Sequence, residues 1–214
     1  IGPVSGGTRL SIYGSIYNET AAVSCLFTPS AMHVSGRFVR EEYLECASPQ
    51  VNANGTAIIY VSLNGVQFSS SGVEFTYVPS ASVSSVWPSR GAAEGGTPLT
   101  VHGGGFSSAS ESLGVLTCRI GGAVRRGVWA SSSALVCNAT RAPPGESRVE
   151  VSNNAREYTS GGVRVRVVSL RVVDVQPWSG PVRGGTVVSV RAHGVWLGGV
   201  RCRIGDASAS HGWS

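Results

Sequence analysis

Apolar and polar residues alternate at every second position through much of this chain, the period of a strand with one face buried. Arg9-Leu10-Ser11-Ile12-Tyr13 and Val163-Arg164-Val165-Arg166-Val167 show it most clearly. In the second stretch two arginines fall on one face and three valines on the other, the signature of a solvated sheet surface. Further strands are predicted over Ala21–Phe27, Arg37–Val39, Tyr43–Cys46, Thr56–Ser62 and Val73–Tyr77, with Val73, Phe75 and Tyr77 facing inward. Asn64-Gly65 is the strongest hairpin-turn dipeptide. No apolar run recurs at helical spacing. Roughly seven short strands in about 85 residues, punctuated by Gly, Pro, Ser and Asn, predict an all-β sandwich.

The pattern then repeats. Gly6-Gly7-Thr8 returns as Gly95-Gly96-Thr97 and Gly184-Gly185-Thr186, each copy 89 residues after the last. Gly2-Pro3 precedes the first copy and Gly180-Pro181 the third, with Gly91-Ala92 in the second. Leu116–Ile120 matches the first cysteine strand, Ala134–Cys137 the second, Val149–Asn154 matches Tyr60–Asn64, and Gly162–Val165 matches Gly72–Phe75. Self-similarity at a fixed period is the mark of an array. The predicted units are residues 1–79, 80–170 and a partial third at 171–214. Ile1 aligns with Arg90 and Ser179, so the first unit is expected to lack its opening strand and both ends read as cuts in a longer array. Ala81–Pro88 and Ser169–Trp178 run from one unit into the next with almost no linker, which predicts a stiff rod. In each repeat the Gly-Gly-Thr segment is the expected turn after Gly-Pro, where glycine supplies positive φ.

Composition narrows the partners. All 17 basic residues are arginine and the net charge is +5, but the arginines are scattered and no lysine is available for phosphate contacts. A nucleic-acid partner is therefore not expected. No apolar run reaches the roughly 20 residues a membrane helix needs, so no direct membrane insertion is expected from this stretch.

These elements together resemble a known family. The Gly-Pro-x-x-Gly-Gly-Thr opening, a strand ending in Gly, the Cys25 and Cys118 strands followed by Tyr43-Leu44-Glu45-Cys46 and Ala134-Leu135-Val136-Cys137, and the closing Phe75-Thr76-Tyr77 look like the IPT/TIG domain. The resemblance implies immunoglobulin-like β-sandwiches set end to end. It is compatible with receptors, adhesins, fibrocystin-like ectodomains, Rel-type transcription factors and accessory modules of carbohydrate-active enzymes, so it specifies fold far more sharply than function.

Five cysteines occupy repeated places. Cys25 and Cys46 are 21 residues apart and Cys118 and Cys137 are 19 apart, in equivalent strands, which supports two disulfides; reduced core cysteines are the alternative. Cys202 aligns with Cys118, so its partner is expected about 20 residues on, past Ser214. No Cys-x-x-Cys or Cys/His spacing suggests zinc. Asn18-Glu19-Thr20, Asn54-Gly55-Thr56 and Asn138-Ala139-Thr140 are N-glycosylation sequons. Cysteine pairs and sequons together predict an extracellular or cell-surface protein bearing N-glycans.

Catalysis finds little support, and no cofactor is expected. His102 and His193 fall at equivalent strand positions, Glu41-Glu42 reads as a charged turn, and Gly103-Gly104-Gly105 as a β-turn rather than a phosphate loop. Trp87 and Trp178 are expected either to pack between units or to fill the end of their own unit. The reading that follows is a structural module of a glycosylated extracellular rod or fibre, its partners being neighbouring repeats of the same or an identical chain. The alternative is a spacer or ligand-binding ectodomain of a receptor or adhesin.

Overall fold

A computed structural model describes residues 1–14, 22–194, 202–205 and 207–209. Within these limits the chain is almost wholly β, and the first two repeats each form a sandwich.

In the first sandwich, β1 (Gly2–Pro3), β2 (Arg9–Tyr13), β3 (Ser24–Thr28), β4 (Met32–Ser35), β5 (Arg37–Arg40), β6 (Tyr43–Ala47), β7 (Gly55–Ser62) and β8 (Val73–Val78) follow in order. One sheet runs β1-β8-β7-β3-β4 and the other β2-β6-β5. Strand β1 pairs with β8 in parallel, the remaining ladders being antiparallel. Alternation places Cys25 and Phe27 of β3, Leu44 and Cys46 of β6, Ala57 and Ile59 of β7, and Phe75 and Tyr77 of β8 in one core. Phe75 meets Phe27 and Tyr77 edge-on, with centroids 6.5 and 4.9 Å away. The Tyr77 hydroxyl donates to the Pro49 carbonyl at 3.0 Å. Val73 departs from the expected inward face. It stands 59% exposed, because the buried alternation of β8 begins at Phe75.

The second sandwich repeats this plan. It contains β9 (Ser82–Trp87), β10 (Arg90–Ala92), β11 (Pro98–Gly104), α1 (Ser108–Ser112), β12 (Thr117–Ile120), β13 (Ala123–Arg126), β14 (Val128–Ser131), β15 (Ala134–Asn138), β16 (Gly145–Ser152) and β17 (Arg164–Val168). Its sheets run β10-β17-β16-β12-β13 and β14-β15-β11-β9. The second sheet has a fourth strand, β9, which has no counterpart beside β2 among the described residues. Leu99, Val101, Leu116, Cys118, Leu135, Val149, Val151 and Val165 form the core. On β17, Val165 and Val167 are buried while Arg164 and Arg166 face solvent, as the alternation predicts. The single helical turn α1 went unpredicted because it has no apolar period. It is set by Ser107, whose side chain caps the Ser110 amide.

Beyond this, β18 (Arg171–Gln176) pairs with β19 (Ser189–His193), and β20 (Cys202–Ile204) with β21 (Ala207–Ala209).

The Gly-Gly-Thr segments are true turns. All six glycines have positive φ, from 72 to 85°. The first amide of each pair donates to the carbonyl three residues back: Gly6 to Pro3 at 3.0 Å, Gly95 to Ala92 at 3.0 Å and Gly184 to Pro181 at 2.9 Å. Gly103-Gly104-Gly105 is not the β-turn expected. Gly103 and Gly104 end β11 after a bulge at His102, and a Cβ on Gly103 would collide with the Ser82 carbonyl on β9. Asn64-Gly65 is likewise not a two-residue hairpin, since β7 stops at Ser62 and β8 starts at Val73. The Asn64 Oδ1 atom instead accepts from the Val66 and Gln67 amides, both at 2.9 Å, and so organises a longer loop.

Candidate interface between the two units

The loop after β16 is the second sandwich's counterpart of the Asn64 loop, and it seats on the first sandwich. Ser152 ends β16 and its hydroxyl donates to Asn154 Oδ1 at 3.0 Å. The same oxygen accepts from the Arg156 and Glu157 amides, each at 3.1 Å. With its acceptor lone pairs engaged inside the loop, Asn154 points its Nδ2 donor outward, to the Ile1 carbonyl at 3.3 Å and to Glu157 Oε2. Ala155 takes φ 58°, the left-handed value that this turn requires.

Two neighbours of Asn154 complete the contact. Glu157 Oε2 accepts from the Thr8 hydroxyl at 3.1 Å, and Arg156 Nη1 donates to the Arg9 carbonyl at 3.0 Å. On the other side Asn153 Nδ2 donates to the carbonyls of Pro79 at 3.0 Å and Gly105 at 2.8 Å, and Asn153 Oδ1 accepts from the Ser107 amide at 3.3 Å. Asn153 therefore ties the chain joining the units to the second sandwich. Thr8, Ser152, Asn153 and Asn154 are all buried, and each has a hydrogen-bond partner, as buried polar groups require.

The loop is braced from behind. Tyr158 bonds to Thr117 Oγ1 at 2.9 Å and lies beneath the Arg119 guanidinium, 4.2 Å from its ring centroid. Arg119 also pairs with Glu150 at 2.6 Å. The turn is thus also held from within its own sandwich. Nothing in the alternation pattern marks this interface. Its sequence trace is Ser-x-Asn after the same strand in both units, Ser62-Leu63-Asn64 and Ser152-Asn153-Asn154.

The residues singled out in the sequence fall elsewhere. Cys25 on β3 and Cys46 on β6 are joined across the two sheets of the first sandwich, with Cα atoms 6.5 Å apart. Cys118 on β12 and Cys137 on β15 are joined likewise in the second, at 6.4 Å. Cys202, on β20, is unpaired and half-buried. Asn54 stands exposed in the loop before β7, on the rim of an open cleft of about 560 Å³ lined by Pro29, Met32 and Tyr77. Asn138 ends β15 and is exposed. Asn18 lies outside the described residues.

Trp87 follows neither expectation: it is 67% exposed, so it packs neither between the two sandwiches nor into the end of its own, while Trp178, at the start of the partial third unit, is 90% exposed. Glu41 and Glu42 form the turn between β5 and β6, and His102 and His193 are exposed strand residues. On the outer face of β5 and β6, Arg37 pairs with Glu45 at 2.8 Å and Tyr43 donates to it at 2.9 Å. These bonds, Arg37's the larger, hold the Glu45 carboxyl below its ordinary value. Among the described residues no group of three His, Cys, Asp or Glu side chains could hold a metal, and no helix is long and apolar enough to cross a membrane.

The family model for the IPT/TIG domain matches residues 1–77 and again 81–166. The chain belongs to the IPT/TIG family. Its two matches coincide with the two sandwiches. Among curated proteins it is similar to human Fibrocystin-L, 28% identical over 162 residues, covering 74% of this chain and 4% of that protein. Among solved structures it is similar to the extracellular region of Plexin A4, at 18% identity and a TM-score of 0.46, covering 82% of this chain and 15% of that one. It is also similar to the Escherichia coli adhesin FdeC, at 15% identity and a TM-score of 0.33, covering 80% and 64%. This IPT/TIG chain therefore spans only a small fraction of the length of the curated relative it matches.

Proposed function

We propose that these residues are consecutive modules of an extracellular array of immunoglobulin-like repeats, a structural rod in which each unit is locked to its neighbour. Its units are residues 1–79 and 80–170, followed by the beginning of a third at 171–214. Within each complete unit the cysteine pair staples the two sheets, and Cys202 takes a partner beyond Ser214. Asn18, Asn54 and Asn138 carry N-linked glycans, which keep the outer faces solvated. The partners of the array are other repeats of the same or an identical chain.

The observation that carries this reading is the Asn153–Glu157 loop, which reaches from the second sandwich to Ile1, Thr8, Arg9 and Pro79 of the first. Only Pro79, Ser80 and Ala81 separate β8 from β9, so covalent link and hydrogen-bonded loop act on one joint. Two attachment points restrict an angle that a short linker alone leaves open.

Small-angle scattering of the chain tests this. An elongated particle with a sharply defined maximum dimension is expected. A broad distribution typical of two freely jointed sandwiches would sink the rod. Mass spectrometry without reduction, before and after deglycosylation, tests the extracellular part: linked Cys25/Cys46 and Cys118/Cys137 peptides and glycans on the sequons are expected.

A further inference from the structure

The first unit carries the same loop, and there it faces outward. Ser62 donates to Asn64 Oδ1 at 3.1 Å, that oxygen accepts from the Val66 and Gln67 amides, and Asn64 Nδ2 donates to Gln67 Oε1. This is the bonding of Ser152, Asn154, Arg156 and Glu157, bond for bond. Gly65, with φ 75°, takes the place of Ala155 with φ 58°. Burial of the asparagine differs. Asn154 is 7% exposed beneath the first unit, whereas Asn64 is exposed and Val66 is 74% exposed.

The receiving edge is also present twice. On the first unit it consists of the Ile1 carbonyl, the Thr8 hydroxyl and the Arg9 carbonyl. One repeat length on, the same places hold Arg90, Thr97 and Pro98. Thr8 is 2% exposed where the loop covers it, while Thr97 is only half-buried. The Thr97 oxygen accepts from the Ala92 amide at 2.9 Å, which leaves its hydrogen to donate.

We infer that the Asn64–Gln67 loop is an interaction surface for the Gly-Pro/Gly-Gly-Thr edge of another IPT/TIG unit set immediately before it in an array, as this chain's second unit sits on its first. Asn64 Nδ2 donates to the carbonyl equivalent to that of Ile1, and Gln67 Oε1 accepts from the threonine hydroxyl. The joint is distinct in one respect. Arg156 and Glu157 are charged, but Val66 and Gln67 are neutral, so the first unit's loop meets its partner through the Asn64 and Gln67 amides and the apolar Val66 side chain. The edge of Arg90, Thr97 and Pro98 presents two backbone carbonyls and one hydroxyl, as that of Ile1, Thr8 and Arg9 does, and so fits it. This inference rests on the array reading above.

The repeat supplies its own test. Ser179 lies two repeat lengths after Ile1, so residues 1–178 joined to a complete second copy, residues 1–214, keep the array in phase. In that chain the second copy's Asn64 loop meets the first copy's Thr97 edge. Thr97→Cys in the first copy is combined with Gln67→Cys in the second, with Cys202→Ser removing the unpaired thiol. A short bifunctional thiol reagent and peptide mass spectrometry read the cross-link. Thr8→Cys with Glu157→Cys in one copy is the reference pair. A Thr97/Gln67 cross-link within one molecule is expected, with Gln67→Cys of the first copy left unlinked. A reference pair that links while Thr97/Gln67 does not would overturn the inference and leave the rod standing. Links formed only between molecules would overturn it in favour of a second chain as occupant. Failure of the reference pair as well would overturn the rod reading itself.

Discussion

The Thr8 hydroxyl donates to Glu157 Oε2 at 3.1 Å, joining residues 149 apart in sequence and belonging to different sandwiches. Hydrogen bonds to charged groups contribute about 1.5–3 kcal/mol, and this one less, because Thr8 is 2% exposed but the Glu157 carboxylate is open to solvent. Thr8→Val keeps the shape and removes the donor. We expect a broader interatomic distance distribution in small-angle scattering while each sandwich keeps its own core. An unchanged distribution would show that this bond does not hold the joint.

Asn154 and Asn64 offer an internal control. Either residue changed to alanine loses the same turn, but only Asn154 also contacts the other unit. Chemical unfolding is expected to show Asn154→Ala as the more destabilising by about 1 kcal/mol, the net worth of one further buried hydrogen bond. Equal losses would mean that the contact with Ile1 contributes nothing.

The two glycines of one turn separate steric from conformational demands. Gly95 and Gly96 have φ of 84 and 80°, but a Cβ on Gly95 would lie 2.6 Å from the Arg141 amide nitrogen, whereas one on Gly96 meets nothing within 4 Å. Gly96→Ala should cost about 1–2 kcal/mol for its left-handed backbone. Gly95→Ala should cost more, because backbone has to move as well. Thermal melts of the two variants give the comparison, and a reversed order would refute it.

Tyr77 makes the first unit sensitive to alkali. Burial pushes its hydroxyl up to about 12 from an ordinary 10.0. The unfolded chain releases this proton more readily, so the stabilisation is fully present below about pH 10 and is lost as pH rises toward 12. Tyr77→Phe should flatten that decline, while weakening the unit at neutral pH because the Pro49 carbonyl loses its 3.0 Å donor. A pH series of denaturant melts reads both effects, and an alkaline slope unchanged in Tyr77→Phe would assign it to another group.

Replacing both members of the Cys25–Cys46 pair by alanine should destabilise the first unit by about 3 kcal/mol in the chain-entropy model, the span being 21 residues. Denaturant melts of the oxidised chain and the variant give the difference. Coincident melts would show that the bridge does not restrain the unfolded chain.

Period-two alternation and the 89-residue repeat were enough, from sequence alone, to specify β-sandwich units, their order and the Gly-Gly-Thr turns. These features are local or self-similar: every buried strand face writes its period into the residues, and a turn with positive φ selects glycine. Val73, the bulge at Gly103, and the exposed Trp87 and Trp178 were not legible, because each depends on where a neighbouring strand ends or whether another unit arrives. The joint was the least visible part. Of Ser152, Asn154 and Glu157, the first two fell in the stretch matched to Tyr60–Asn64 and the third was not singled out; of the similar Ser62, Asn64 and Gln67, only Asn64, with Gly65, carried a signal, that of a hairpin. Sequence determined the loop that both triplets build. Tertiary structure alone decided that one of them seats against Thr8 and Ile1, because a hydrogen bond across 149 residues exists only after both sandwiches have folded and met.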